Sequence, residues 1–364
     1  MERKEILSWL KEKNPDRLET LWRLADETRQ KYVGDEVHLR GLLEISNYCV
    51  RACHYCGLRV ENVRLERYRM TGEEILGCSH QAAGLGYGTV VLQSGEDYGL
   101  AAGWVAGLVS RIKAETPLAV TLSLGERAPE ELALWRRSGA DRYLLRFETS
   151  NRKLFNRIHP AQTAGRGVSD RLALLEVIRN LDYETGSGIM IGLPGQSFED
   201  LAKDLETFRC LDLDMIGVGP WIPHPDTPLA SQALSLELPG DEQVPNSEQM
   251  TYKVIALSRI LCSKANIPST TALATLNRSR GRELGLQRGA NVVMPNLTPP
   301  RYRRLYEIYP AKACIQETAQ DCCDCLRLKI RSLGREPGQG RGDSPAWLTR
   351  KAVSGCQTLE SNDE

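Results

Sequence analysis

The chain has 364 residues, enough for two average domains or for one large α/β barrel with appendages. Its 47 Lys and Arg balance its 47 Asp and Glu, which excludes the basic footprint of a protein that grips nucleic acid non-specifically. The longest apolar runs, such as "GLAAGWVAGLV", fall far short of the about 20 residues of a membrane span, and the start lacks an apolar h-region, so a cytoplasmic protein is expected.

Residues 1–36 read as a helical extension, with Ile6, Leu7, Trp9 and Leu10, then Leu18, Leu21, Trp22 and Leu24 at helical spacing. From residue 37 the pattern changes. Apolar or β-branched runs appear at "LRGLLEIS", "GTVVLQS", "LAVTLSL", "DRYLLRFE", "GSGIMIG", "DMIGVGP", "STTALAT" and "NVVMP". Between them stand amphipathic segments, "TGEEILGCSHQAAGLG", "APEELALWRRSGA", "SDRLALLEVIRNLD" and "SFEDLAKDLETFRCL", several opening on Thr or Ser with an acid one turn later, the mark of a helix N-terminus. Eight strands alternating with helices predict a parallel sheet, and eight is the number that closes a complete (β/α)8 TIM-type barrel. An open doubly wound sheet is the competitor, but no strand leads into a G-x-G-x-x-G turn. The barrel is expected over residues 37–333, with a cysteine-bearing region at 310–326. The Gly-, Ser- and charge-rich residues 334–364 are expected to be a loosely ordered tail.

Eleven cysteines are unevenly placed. Cys49, Cys53 and Cys56 fall within eight residues directly after the first strand, at the end of a barrel where chemistry resides. Three thiolates at this spacing suit a zinc ion with a fourth ligand from elsewhere, or an iron–sulfur cluster. A four-iron cubane held by three cysteines leaves one iron open to chelate a small molecule bearing an amine and a carboxylate, a description that S-adenosylmethionine (SAM) fits. A second group comprises Cys314, Cys322, Cys323 and Cys325, while Cys78, Cys210, Cys262 and Cys356 read as ordinary thiols.

The trio, with Tyr55 before its last cysteine, resembles the fingerprint of the radical SAM family. "SNYCVRACHYCGLR", "VLQSGED", "GADRYLLRFET", "YETGSGIMIGLPGQ", "GVGPWIPHPDTPLA", "GANVVMPNLTP" and "LYEIYP" are similar to the HydE family of FeFe-hydrogenase maturases, over roughly residues 40–330. The resemblance implies a 4Fe–4S cluster on Cys49, Cys53 and Cys56, and reductive cleavage of SAM to a 5′-deoxyadenosyl radical. It implies SAM contacts from Tyr55, Ser94, Gly95, Glu96, Arg146, Glu148, Arg171, Trp221, Ile222 and Pro223. A small substrate would lie deeper, against Gln93, Thr121, Thr270, Thr271, Met294, Tyr306 and Tyr309. Cys314, Cys322 and Cys325 have the spacing of an accessory iron–sulfur cluster found in some such maturases.

No side chain is required as general acid or base. The implied target is a cysteine-bound iron dicarbonyl cyanide unit supplied by HydG, its product passing to HydF, with ferredoxin or flavodoxin as electron donor. Phe147 and Ala274 depart from the family's pattern, which expects His and Gly there. The alternatives are a radical enzyme like methylornithine synthase or biotin synthase, and an iron–sulfur carrier. The biotin synthase mode would need a further cluster inside the barrel, for which the later strands offer no suitable cysteines.

Overall fold

The computed structural model describes residues 1–161, 169–231, 238–313 and 317–360, the last seven of these as backbone alone. In chain order the elements are α1 (Arg3–Lys11), α2 (Pro15–Val33), β1 (Glu36–Ser46), α3 (Gly72–Gly84), β2 (Thr89–Ser94), α4 (Ala102–Glu115), β3 (Ala119–Ser123), α5 (Pro129–Arg137), β4 (Arg142–Leu144), α6 (Arg152–Ile158) and α7 (Arg171–Asn180). There follow β5 (Glu184–Ile191), α8 (Phe198–Cys210), β6 (Met215–Pro220), α9 (Glu248–Leu261), α10 (Thr271–Leu276), α11 (Gly281–Gln287), β7 (Val292–Val293), α12 (Pro300–Arg303), α13 (Ala319–Ser332), β8 (Glu336–Pro337) and α14 (Pro345–Glu360).

The predicted helix starts are built as their sequences suggest. Thr71 and Ser197 each accept from the backbone three residues on, while Glu74 and Asp200 reach back to the cap, closing capping boxes on α3 and α8. The N-terminal pair α1 and α2 packs on α8 and α9, and Lys253 of α9 pins it by donating to the Leu10 and Glu12 carbonyls at 2.8 and 2.5 Å.

All strand pairs are parallel, in the order β6-β5-β4-β3-β2-β1-β7, with the short β8 also on β1. Leu39, Leu42, Leu43 and Ile45 of β1 are all buried, and so are Arg40 and Glu44 among them, as in a parallel strand covered on both faces. Every strand therefore delivers its C-terminal end to the same edge.

Two expectations need correction. "STTALAT" is not a strand: residues 266–268 carry the extended backbone, bridging Met215 on one side and Val292 on the other, and Thr270 then caps α10 by accepting from Leu273 N. A Thr pair reads as β-branched strand, yet Thr is equally a helix cap. The segment from Gly334, with the composition of a loose tail, instead contributes β8, crosses the opposite edge of the sheet, and ends in α14. Its charges have buried partners. Asp343 meets Arg142 at 2.5 Å, Arg341 meets Asp141 at 2.8 Å, and Arg350 meets Asp214 at 2.6 Å. Its backbone is as closely fitted, because a Cβ on Gly88 would lie 1.5 Å from the Gly340 carbonyl oxygen.

Candidate active site

The cysteine segment leaves β1 at Ser46 without regular structure, so its carbonyls need partners of another kind. Arg67 supplies them, donating to the carbonyls of Asn47, Leu58, Arg59 and Asn62 at 2.6–3.3 Å. Arg69 and Ser46 anchor the exit of β1 on Asp97, with contacts of 2.7 and 2.8 Å. Two glycines permit the close fit: a Cβ at Gly95 would sit 2.3 Å from the Tyr48 carbonyl oxygen, and one at Gly57 would sit 2.2 Å from that of Glu307 and 2.6 Å from the His224 ring. Buried His224 is thus a support under the loop.

The loop covers one end of a cavity of about 360 Å³, within the usual range for small-molecule sites. Its lining brings together Cys49, Cys53, Tyr55, Cys56, Ser94, Glu96, Arg146, Glu148, Arg171, Trp221 and Ile222, and also Gln93, Thr121, Thr270, Thr271, Met294 and Tyr309. Gly95 lies beneath the loop, Pro223 is exposed at the rim, and Tyr306 is buried behind Gln93, whose Nε2 donates to its hydroxyl at 3.2 Å. Phe147 points away into the outer layer against Phe208, with ring centroids 5.6 Å apart. Phe147 is therefore not part of the cavity lining.

Glu148 has a left-handed backbone, φ 63°, which costs a non-glycine residue about 1–3 kcal/mol. The strand end is held there by Glu148 N to Gly188 O and Met190 N to Glu148 O, both 3.1 Å. Buried Asp204 helps by accepting from Ser150 N at 2.5 Å and from the Thr149 hydroxyl at 3.4 Å. Burial pushes the Asp204 carboxyl up to about 7. The Glu148 side chain is 3.2 Å from Arg146, an ion pair without hydrogen-bond alignment. Glu148 Oε2, Thr121 Oγ1, Trp221 Nε1 and Arg146 Nε are buried atoms of the lining that lack hydrogen-bond partners among the described residues. Such groups are rare in native interiors and suit a polar ligand.

Sequence reasoning missed the layer behind the cysteines. Glu96 accepts from Arg51 at 2.8 Å and from Tyr98 at 2.6 Å, so its carboxylate is already engaged. Arg51 continues to Glu126 at 2.8 Å, and Glu126 takes Arg171 Nε at 2.8 Å and the Ser169 hydroxyl at 2.5 Å. Burial would raise the Glu126 carboxyl, but the Arg171 guanidinium and the Ser169 hydroxyl outweigh it and hold it below the usual range. Arg171, at the first turn of α7, is buried rather than a surface arginine. His159 stands between this network and Cys53. No local motif marks Arg51, Glu126 or His159; only their meeting in space does. At the deeper end, Lys312 pairs with Glu44 at 2.6 Å, also unforeseen.

Burial raises all three thiols, Cys49 upward, Cys53 well above the ordinary range, and Cys56 to about 12. Three thiols lining one end of a cavity are the donor set of an iron–sulfur cluster, whose positive charge would offset that burial. The trio and its supporting donors therefore fit such a group. Among the described residues no three Cys, His, Asp or Glu side chains close around a single metal ion, which a cubane does not require because each of its cysteines takes a different iron. In the second cysteine group, Cys322 and Cys325 lie one turn apart on α13, Cys325 exposed, while Cys323 is buried and Cys314 lies outside the described residues. No helix among the described residues is long and apolar enough to cross a membrane.

Comparison with known proteins adds three findings. The radical SAM superfamily matches residues 43–208. The chain is 48% identical to the FeFe hydrogenase maturase subunit HydE of Thermotoga maritima over 92% of its own length and 90% of the relative's, and 26% identical to the 3-methylornithine synthase of Methanosarcina acetivorans over 92% and 89%. A crystal structure of methylornithine synthase superposes with a TM-score of 0.76 at 24% identity, covering 97% of this chain and 96% of that one, which establishes a common fold.

Proposed function

The chain belongs to the family of the FeFe hydrogenase maturase subunit HydE, within the radical SAM superfamily, and from that membership we propose that its lumen processes a cysteine-bound iron dicarbonyl cyanide precursor of the hydrogenase di-iron subsite. The cofactors, a 4Fe–4S cluster and SAM, supply a 5′-deoxyadenosyl radical by one-electron cleavage, and the protein supplies position and shielding. Cys49, Cys53 and Cys56 would hold the cluster. Glu148 would receive the amino or ribose group of SAM, Arg146 its carboxylate, and Ser94 with the backbone at Gly95 the methionine amine. Glu96 and Arg171, tied into their own network, would support those contacts. Trp221, Ile222 and Pro223 would border the adenine.

Deeper in the cavity, the Thr121, Thr270 and Thr271 hydroxyls and the Gln93 amide offer polar contacts that a carbon radical does not readily attack, while Met294, Tyr306 and Tyr309 close the lumen. The sheet is proposed to be a complete (β/α)8 barrel. Residues 266–268 would serve as its seventh strand, a reading supported by their bridges to Met215 and Val292. HydG as source of the substrate, HydF as acceptor of the product, and ferredoxin or flavodoxin as electron donor complete the scheme.

The observation that carries this reading is the gathering of the cysteine trio, strained Glu148 and the deep polar set on one cavity. A mutase acting on an amino acid is the second reading, favoured by the likeness to 3-methylornithine synthase along 92% of the chain. The test is to reconstitute the protein anaerobically, add dithionite and SAM, and offer the synthetic cysteine–iron complex and lysine in parallel. Adenosylated product is expected from the iron complex alone, and product from lysine would favour the mutase. Cys49→Ala, Cys53→Ala and Cys56→Ala should each abolish 5′-deoxyadenosine; turnover retained in any of them would overturn the cluster assignment.

A further inference from the structure

We propose that His159 donates a hydrogen bond to the sulfur of Cys53 and thereby sets the redox poise of the centre the trio holds. The inference rests on the cluster reading above. His159 terminates α6, is 2% exposed, and places Nδ1 2.9 Å from Cys53 Sγ. Its other ring nitrogen, Nε2, is 3.2 Å from Arg171 Nη2 and 3.4 Å from Glu126 Oε1.

Those contacts decide where the ring proton sits. A guanidinium has donors and no acceptor, and it stays protonated in proteins, so Arg171 can only give a hydrogen to Nε2. Nε2 must meet it with a lone pair. Glu126 makes no competing demand for an Nε2 proton, because it already accepts from Arg171 Nε, Arg51 and Ser169. A neutral imidazole with a bare Nε2 carries its proton on Nδ1, the nitrogen that faces the sulfur. The sulfur side agrees, since a cysteine that ligates iron is a thiolate and accepts. The ring is held in this orientation by Phe155, whose centroid is 4.9 Å away, and by His159 N donating to Phe155 O at 2.8 Å.

A hydrogen bond to a ligating sulfur draws negative charge off the metal centre and favours its reduced state, so removing that bond lowers the reduction potential. His159 thus acts through Cys53, as a positioning residue, and is not part of the cavity lining. The helix that carries it also fixes the cysteine loop through His54 N to Ile158 O at 2.8 Å.

Two conservative substitutions separate the role from simple filling of space. Asparagine places its amide nitrogen where Nδ1 stands, whereas glutamine reaches the position of Nε2 and leaves the sulfur without a donor. Wild type, H159N, H159Q and H159F are loaded with iron and sulfide, and the midpoint potential is read by EPR-monitored redox titration without substrate. H159N is expected to titrate with the wild type, while H159Q and H159F titrate at more negative potential and form 5′-deoxyadenosine about 10-fold more slowly with a limiting reductant.

Equal potentials for H159N and H159Q at matched iron content overturn the proposal. Loss of iron from H159N overturns it too, because a preserved donor should preserve the site. Should H159F fail to fold, the Asn and Gln pair decides. Either failure is distinct from that of the function itself, which would show as a wild type that takes up no cluster or cleaves no SAM.

Discussion

Asp204 shows how a residue outside the cavity governs one inside it. Its carboxyl holds Ser150 N and the Thr149 hydroxyl, and so keeps Glu148 in its left-handed turn. Because burial raises its folded pKa to about 7 from the ordinary 3.8, the stability it contributes is fully present below the unfolded value and is lost as pH rises toward 7. Asp204→Asn keeps the shape and removes the titration. In urea unfolding, the wild type should lose up to about 4 kcal/mol more than the variant between pH 4 and pH 7. Parallel pH profiles for the two proteins would show that Asp204 is ionised in the fold. Legibility in the sequence also divides at this scale. The three cysteines announce their chemistry by spacing, and Glu148 by its place at the end of an apolar strand. Arg51, Glu126 and His159 are ordinary in their local context, and their role arises from contacts between segments dozens of residues apart.

At the scale of elements, capping boxes and apolar strand runs placed most of the helices and sheet. They failed at "STTALAT", where a Thr pair serves as a helix cap after the extended backbone has already ended. The loop after β1 is an element of another kind, held by Arg67 and by glycines rather than by a ladder. Gly95→Ala is therefore expected to push the Tyr48 carbonyl outward, cost about 1–3 kcal/mol of stability, and lower the iron bound per chain after reconstitution. Thermal unfolding and iron analysis measure the two effects, and full iron content with an unchanged unfolding midpoint would refute the close fit.

At the scale of the molecule, the C-terminal segment binds together parts of the chain that its own composition does not hint at. Arg142 is completely buried between Glu184 and Asp343; removing Asp343 leaves it Glu184 but takes away a charge-assisted hydrogen bond, a loss of about 1.5–3 kcal/mol. Asp343→Ala should lower stability by an amount of that order, read in the unfolding midpoint, while Asp343→Asn, which still accepts a hydrogen bond, should lose less. Apart from the local pair of Arg341 with Asp343, the partners of Asp343, Arg341 and Arg350 lie well over a hundred residues upstream, so the sequence shows the charges without showing what they are for.

The same segment has a consequence for traffic. The Gly342 carbonyl accepts from Arg40 at 2.9 Å and from Asn266 at 3.0 Å, and both residues line the cavity floor. The C-terminal segment thus backs the cavity at the end away from the cysteine loop. On the proposed function SAM would lie at the cysteine end, so a substrate held deeper would have to enter before it. Turnover would then have a fixed order of arrival.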